Sequence, residues 1–407
     1  MTSSKLTTLQ HEFLDAFFQR ESRFFLTGGA ALAGFYLGHR ETHDLDLTQR
    51  AFPNPKLRRD FSDRMSFNPQ NILVIDFGQL GDVVMSLPAL GAIRRRFPKA
   101  RITVAAGKPS SEIIELSGSA DEVISVDRVA LRDGFIPLSI WRIFQVVQDV
   151  RRRKFDFVID LHSFSETNIM GFLSGAPQRL FARRPGRSLD FLARFNPKPP
   201  VDRNEPDHHL VDRYLDVLKP LGIADVPRIP KITPRPEDGR AITAMLQKAK
   251  AESGTPLVGL FPGAGHPGRC WPVQRWAELA DFLIRNDGVR PVVFVGPEES
   301  GLIEATRRLF PRQVVFLEKL SIGQVAAAQS RLAVFISNDT GPAHIAAAVG
   351  APAVVLIMNR STPHAYVPLS SAQRLVFGNV HDITVENVYA ASRELLTSER
   401  MTALFAN

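Results

Sequence analysis

Three stretches of this chain hold side chains whose type and spacing suit chemistry on an anionic, group-bearing substrate. The first is Asp76-Phe77-Gly78-Gln79-Leu80-Gly81-Asp82, where an apolar run ends in a glycine-bearing turn and Asp82 stands at the start of a helix. A carboxylate there projects from the carboxyl edge of a sheet and can take a proton from a bound hydroxyl. Aspartate is also a favoured helix cap, so a purely structural role stands beside the chemical one. The second is Phe261-Pro262-Gly263-Ala264-Gly265-His266-Pro267-Gly268-Arg269-Cys270-Trp271-Pro272. Its glycines let backbone N–H groups approach phosphates, and Arg269 adds a cation with two donors side by side. The third is Ile336-Ser337-Asn338-Asp339-Thr340-Gly341-Pro342-Ala343-His344, a strand, a polar turn and an alanine-rich helix. Thr340 is placed to cap that helix, Pro342 suits its first turn, and the helix start fits a diphosphate. His344 reads equally as an ordinary helix histidine.

Some familiar phosphate motifs are excluded. Gly78 and Gly81 lack the third glycine of a dinucleotide fingerprint, and no Gly-Lys-Ser/Thr closes the 263–269 loop as in a Walker A motif. Cys270 is the only cysteine, which rules out an internal disulfide framework and a cysteine-based metal cluster. His266 has no further ligands nearby, so no metal site is expected.

The elements that must position these loops follow from periodicity. Asn71–Asp76 is a continuous apolar run, as in a strand buried on both faces. Strands at 101–105, 123–126 and 157–160 follow, with helices through Arg96 and over 138–152. A second series of strands is expected at 257–261, 291–295, 314–316, 333–336 and 353–357. Such alternation implies parallel βαβ units. The fold class is therefore α/β, with two doubly wound, Rossmann-like halves facing a cleft, over 69–235 and 236–407. The proline-rich stretch 226–238 is the expected hinge, and ligands bind such folds at the carboxyl ends of the strands. Residues 1–50 read as a small α/β appendage, and 51–68 as a linker.

Length and composition agree. At 407 residues the chain exceeds one compact core. With 44% hydrophobic and 23% charged residues it is globular rather than disordered. Mean hydropathy is −0.05, and no run approaches the roughly 18 apolar residues that span a bilayer. The opening MTSSKLTTLQHEF carries no secretory pattern, so a cytoplasmic location is expected. The net charge of +8 favours anionic partners. Neither Arg151–Lys154 nor the stretch from Arg179 to Arg203 has the interleaved aromatics of a nucleic-acid platform, and nucleic acid is not an expected partner.

Taken together, the three loops resemble glycosyltransferase family 9, the ADP-heptose:lipopolysaccharide heptosyltransferases, over residues 69 to about 385. The resemblance lies in 72–90, in 257–276 with Gly296-Pro297-Glu298, and in 320–350, in the family's order and spacing. It implies a GT-B fold and inverting, metal-independent transfer from a nucleotide-sugar, without a cofactor. By similarity Asp82 takes the catalytic-base position. Gly263, Ala264, Gly265, Arg269, Thr340, Gly341 and His344 take the donor diphosphate, with Arg269 standing where the family usually has lysine. Asp339 lies beside the transferred sugar, and Glu298, or its neighbour Glu299, binds the ribose. The basic segment holding Arg183, Arg184 and Arg187 would suit an anionic glycolipid or saccharide acceptor, with peripheral attachment to the inner membrane. Residues 25–47 are similar to the opening of AbiEii-type nucleotidyltransferases, where Asp44 and Asp46 would bind Mg²⁺, but the match is too short to enclose a nucleotide. Two alternatives thus stand beside sugar transfer: a nucleotide-sugar-binding protein without turnover, and nucleotidyl transfer through the N-terminal segment.

Overall fold

The computed structural model describes residues 67–127, 145–251, 254–296, 307–358 and 364–405, together with residues 301 and 304 and the strands β1 (Phe24–Thr27) and β2 (Asp46–Gln49). The last two pair antiparallel, with Asp46 opposite Thr27. Asp44, most of the 51–68 linker, the helix start over 138–144, and Glu298 with Glu299 lie outside the described residues.

Two parallel sheets form the body. The first contains β3 (Asn71–Asp76), β4 (Arg101–Gly107), β5 (Glu122–Val126), β6 (Phe157–Asp160) and β7 (Gln178–Phe181), in the order β5-β4-β3-β6-β7. The second contains β8 (Leu257–Phe261), β9 (Arg290–Val295), β10 (Val315–Glu318), β11 (Val334–Asn338), β12 (Ala353–Met358) and β13 (Gln373–Gly378), in the order β10-β9-β8-β11-β12-β13. Every neighbouring pair in both sheets runs parallel. Each sheet reverses its winding once, between β3 and β6 in the first and between β8 and β11 in the second, which is where doubly wound folds open a crevice. Strands β7 and β13 were not anticipated; β13 is half exposed along its length and lacks the continuous apolar run of a central strand.

The helices are α1 (Leu80–Arg96), α2 (Lys108–Ser117), α3 (145–152), α4 (Ser165–Leu173), α5 (Leu210–Val217), α6 (Pro236–Lys248), α7 (Val273–Asp287), α8 (Ile322–Gln329), α9 (Gly341–Ala348) and α10 (Val385–Phe405). Helix α1 is buried without a break from Val83 to Leu90, Pro88 included. A helix apolar on all sides must be covered on all sides. One face lies on the first sheet, and the other meets α5 and α9, so the second half of the chain supplies part of the cover. Ile345 and Ala348 of α9 and Ala326 of α8 accordingly join the core of the first half. Helix α9 reads Gly-Pro-Ala-His-Ile-Ala-Ala-Ala, and its small side chains let α1 come close.

The chain crosses between halves along 222–235 and is tied to both. Ile232 N–H donates to Ala348 O at 3.1 Å and Thr233 N–H to Leu116 O at 3.1 Å. Glu112 of α2 reaches across to cap α8, accepting from the N–H groups of Ile322 and Gly323 at 3.1 and 3.0 Å. Two free N–H groups at a helix start are satisfied from the other domain. In the first half, His209 caps α5 by accepting from Val211 N–H at 3.1 Å, and its Nε2 lies 2.9 Å from Val367 O. The ring is therefore neutral, with Nε2–H donating to the second half.

Burial, foremost, pulls the His209 pKa below its ordinary 6.5. As pH falls through 6.5 the unfolded chain takes up a proton that folded His209 refuses, so stability is complete above that pH and is lost below it. Urea midpoints should fall between about pH 7.5 and about pH 5.5. The His209→Asn variant, which retains a capping oxygen, should show a shallower fall; an identical slope would remove His209 as the cause.

Candidate active site at the facing sheet edges

The loops after β3 and β11 meet. A Cβ at Gly81 would stand 2.9 Å from His344 Cδ2, and one at Gly341 would stand 2.9 Å from Leu80 Cδ2. The first turns of α1 and α9 are thus in van der Waals contact, and glycine is required at both crossing points because nothing larger fits. Asp82 and the Thr340–His344 turn, 258 residues apart at their nearest in sequence, are brought to one place.

Asp82 is not the N-cap of α1 but the third residue of its first turn, half-buried, with Oδ2 accepting from Gln79 N–H at 3.2 Å. That bond fixes the carboxylate at the mouth of the loop. Behind it lies a layer of buried polar groups: Asp76, Asp160, His162, Ser163, Asn168 and Arg184. Asp160 ends β6 and accepts from Ser163 N–H and Asn168 Nδ2, both at 2.7 Å. Asn168 in turn accepts from Leu189 N–H at 2.7 Å, so one carboxylate sets the course of two loops. Burial pushes Asp160 up to about 7, against the pull of those bonds and of Arg184. Burial likewise raises Asp76, and the Tyr214 phenol well above 10.0.

The three arginines are placed differently from one another. Arg183 is paired with Asp190 at 3.0 Å. Arg184 is buried, 3.4 Å from Asp202 and stacked 5.8 Å from the Phe164 ring centre. Its charge acts on Asp76, Asp160 and Tyr214 rather than on solvent. Arg187 is exposed and lies 5.9 Å from the Phe164 ring centre, and the His162 ring meets Phe164 at 4.3 Å in a T-shaped pair. The stretch expected to be one basic face therefore divides into an ion pair, a buried counter-charge and an exposed cation on an aromatic platform.

In the second half, Asn338 stitches the glycine loop to β11. Its Nδ2 donates to Pro262 O at 2.7 Å and Gly263 O at 3.1 Å, and its Oδ1 accepts from Trp271 N–H at 3.2 Å. Ala264 is half-buried and Gly265 exposed, and Arg269 ends the 3-10 turn Pro267–Arg269. Trp271, buried against Trp276 at 5.2 Å, pins the loop's far end by donating to Ile383 O at 2.9 Å. Thr340 does sit at the N-cap of α9, but its side chain makes no capping bond, so that expectation is corrected. Asp339 is buried, with its N–H held by Leu356 O at 3.1 Å. His344 is buried and faces Gly81 across the domain contact.

Sequence reasoning gave no role to Asp76, Asp160, His162 or Asn338. The signal was available: Asp76, Asp160 and Asn338 are polar residues closing otherwise apolar strands at the carboxyl edge, where a doubly wound sheet holds its ligand.

Comparison with known proteins gives the family and the fold. Residues 143–389 match glycosyltransferase family 9 (heptosyltransferase). Lipopolysaccharide heptosyltransferase 2 of Escherichia coli K12 is 25% identical over 320 residues, covering 75% of this chain and 87% of that protein. Lipopolysaccharide heptosyltransferase 3 of Escherichia coli is 22% identical over 281 residues, covering 68% and 80%. Among solved structures, the glycosyl transferase family 9 protein of Veillonella parvula superposes with a TM-score of 0.72 at 24% identity, covering 81% of this chain and 98% of that one. Escherichia coli heptosyltransferase WaaC with ADP gives 0.64 at 20% identity, covering 80% and 100%. The two parallel-sheet halves meeting at their carboxyl edges are those of the GT-B fold. From its matched residues and its architecture alike, the chain belongs to glycosyltransferase family 9 and is a glycosyltransferase.

Proposed function

We propose that the protein transfers a heptose, or a closely related sugar, from a nucleotide-sugar to a saccharide of the lipopolysaccharide core. The donor favoured is ADP-heptose, because proteins of similar fold include Escherichia coli ADP-heptose lps heptosyltransferase II and Escherichia coli heptosyltransferase WaaC with ADP-2-deoxy-2-fluoro heptose. The observation that carries the reading is the contact of Gly81 with His344, which puts a carboxylate loop from one half beside a helix start from the other.

In this reading the acceptor hydroxyl attacks the anomeric carbon while Asp82 takes its proton. The new C–O bond forms on the face opposite the departing nucleoside diphosphate, so the configuration inverts. The leaving diphosphate gathers negative charge as its bond to the sugar breaks. The first turn of α9, Gly341, the backbone of Gly263–Gly265, Arg269 and His344 are the donors that would stabilise it. Thr340 and Asp339 flank that turn, Asp339 toward the sugar, and Glu298 is the proposed ribose partner. Arg269 offers a planar fork in place of an ammonium, which suits two phosphate oxygens. No metal or cofactor enters these steps.

The acceptor enters over the first half. Arg187 on Phe164 presents an exposed cation with an apolar ring face, suited to an anionic sugar. Arg183 and Arg184 support that platform from their ion pairs. Among the described residues no helix is long and apolar enough to cross a membrane, so a glycolipid acceptor would be met peripherally, assisted by the net charge of +8.

The deciding experiment supplies ADP-heptose and a lipopolysaccharide-core acceptor to the full chain and follows ADP and glycosylated product together. Product should form equally with and without EDTA, and a requirement for added metal would end the metal-independent reading. Asp82→Asn should cut kcat by about 10²–10⁴-fold with the donor KM little changed; full activity in that variant would remove Asp82 as base. Cys270, 3.7 Å from His266 O within the glycine loop, reports on the donor directly. Its alkylation by a maleimide should slow when ADP is bound, whereas a rate indifferent to saturating ADP would place the donor elsewhere. Arg187→Ala should raise the acceptor KM without touching the donor KM, and the reverse pattern would move the acceptor off Phe164.

A further inference from the structure

Asp76 takes no part in the transfer as described, yet it is fully buried at the carboxyl end of β3, directly behind the loop that carries Asp82. The four preceding residues, Ile72-Leu73-Val74-Ile75, are apolar and equally buried. A carboxylate in their company costs the fold its desolvation, and an apolar residue would serve the strand better. What Asp76 does have is the Ser86 hydroxyl of α1 and the loop. Its Oδ1 accepts from Gly78 N–H at 3.0 Å. Gly78 itself is wedged between two carboxylate residues: a Cβ at that position would stand 2.7 Å from Asp82 Cβ and 3.1 Å from Asp76 Oδ1. No side chain therefore fits at this position without displacing one of the two aspartates.

The charged and titratable groups facing Asp76 come from four elements. Asp82 faces it from α1, and His162, in the loop after β6, has Nδ1 3.9 Å from Asp76 Oδ1. Arg184, after β7, opposes its charge, and Tyr214 approaches from α5. We propose that Asp76 is a positioning residue for Asp82: through Gly78 it fixes the loop from which Asp82 projects, and its carboxyl group faces Asp82 as the acceptor gives up its proton. This rests on the reading of Asp82 as the base.

The arrangement has a distinct signature. Two carboxylates that feel one another's charge do not ionise independently. Burial, foremost, and then the charge of Asp82 raise Asp76 above its ordinary 3.8, against the pull of Ser86, Gly78 and Arg184. A negative charge on Asp76 would strengthen a neighbouring carboxylate as a base. The pair therefore titrates as a unit, and the acid limb of the rate profile should climb in two steps.

The test uses the full chain labelled with ¹³Cγ-aspartate, with Asp76 and Asp82 identified from the spectra of Asp76→Asn and Asp82→Asn. In Asp82→Asn the titration midpoint of Asp76 should fall, because the like charge is gone. In Asp76→Asn, which keeps an oxygen for Gly78, the upper step of the acid limb should vanish. Its kcat should drop by about ten- to a hundredfold while the donor KM stays within about twofold. An Asp76 midpoint unmoved by Asp82→Asn overturns the proposal whether or not sugar is transferred, and so does an Asp76→Asn profile that superimposes on wild type. A midpoint that moves in a protein transferring nothing overturns the proposed function and upholds the coupling of the two carboxylates. Should Asp76→Asn fail to fold, the Asp82→Asn titration decides alone.

Discussion

The contact on which the rest depends is between two helix starts. Helix α1 opens beside Asp82 and α9 opens beside Asp339, and they touch through Gly81 on His344 and Gly341 on Leu80. Each helix is buried on nearly every side, so neither half of the chain could leave its partner without exposing an apolar surface. The same packing that completes the first half's core therefore brings the chemistry together. Site assembly and domain docking are one event, and the cost of keeping two glycines at the crossing is offset by the burial of Ile345 and Ala348 against α1.

The halves divide the electrostatic work unevenly. The second half offers backbone donors, held in place by Asn338 and Trp271, with Arg269 as its nearest cation. Backbone groups need no charge of their own to receive a diphosphate, and their positions are fixed before it arrives. The first half instead stores side-chain charge under its surface: Asp76 and Asp160 with Arg184 between their fields, and neutral Tyr214 beside them. Such a layer is expensive to bury and pays only where proton affinity must be set. That is the side on which a hydroxyl would lose its proton.

The fold was legible because parallel sheets leave a plain mark. Central strands such as 71–76, 157–160 and 257–261 are apolar on both faces, and their ends fall at glycine or polar turns. The edge strand β13, Gln-Arg-Leu-Val-Phe-Gly, lacks that mark because one side meets solvent. The three loops were legible for a related reason, since glycine, proline and aspartate are conspicuous after an apolar run. What could not be read was which cations face outward. Arg183, Arg184 and Arg187 look alike in sequence, and only tertiary partners, Asp190, Asp202 and Phe164, separate them. Thr340 shows the same limit: its type and place suit a cap, but the backbone turn alone completes the helix start.

The linker adds a constraint on how such a site can open. Residues 222–235 are bonded to Ala348 on one side and Leu116 on the other, and Glu112 caps α8 across the same boundary. A rotation of the halves that used this segment as its hinge would have to break the Glu112 cap or carry α2 and α8 along together. A second tie between the halves is the bond of His209 to Val367. Both ties are hydrogen bonds to groups that water can satisfy, so their loss is cheap, whereas the apolar packing of α1 on α9 is not. Any motion between the halves should therefore loosen these two ties first and leave the helix crossing as pivot, which keeps Asp82 and the Thr340–His344 turn in register throughout.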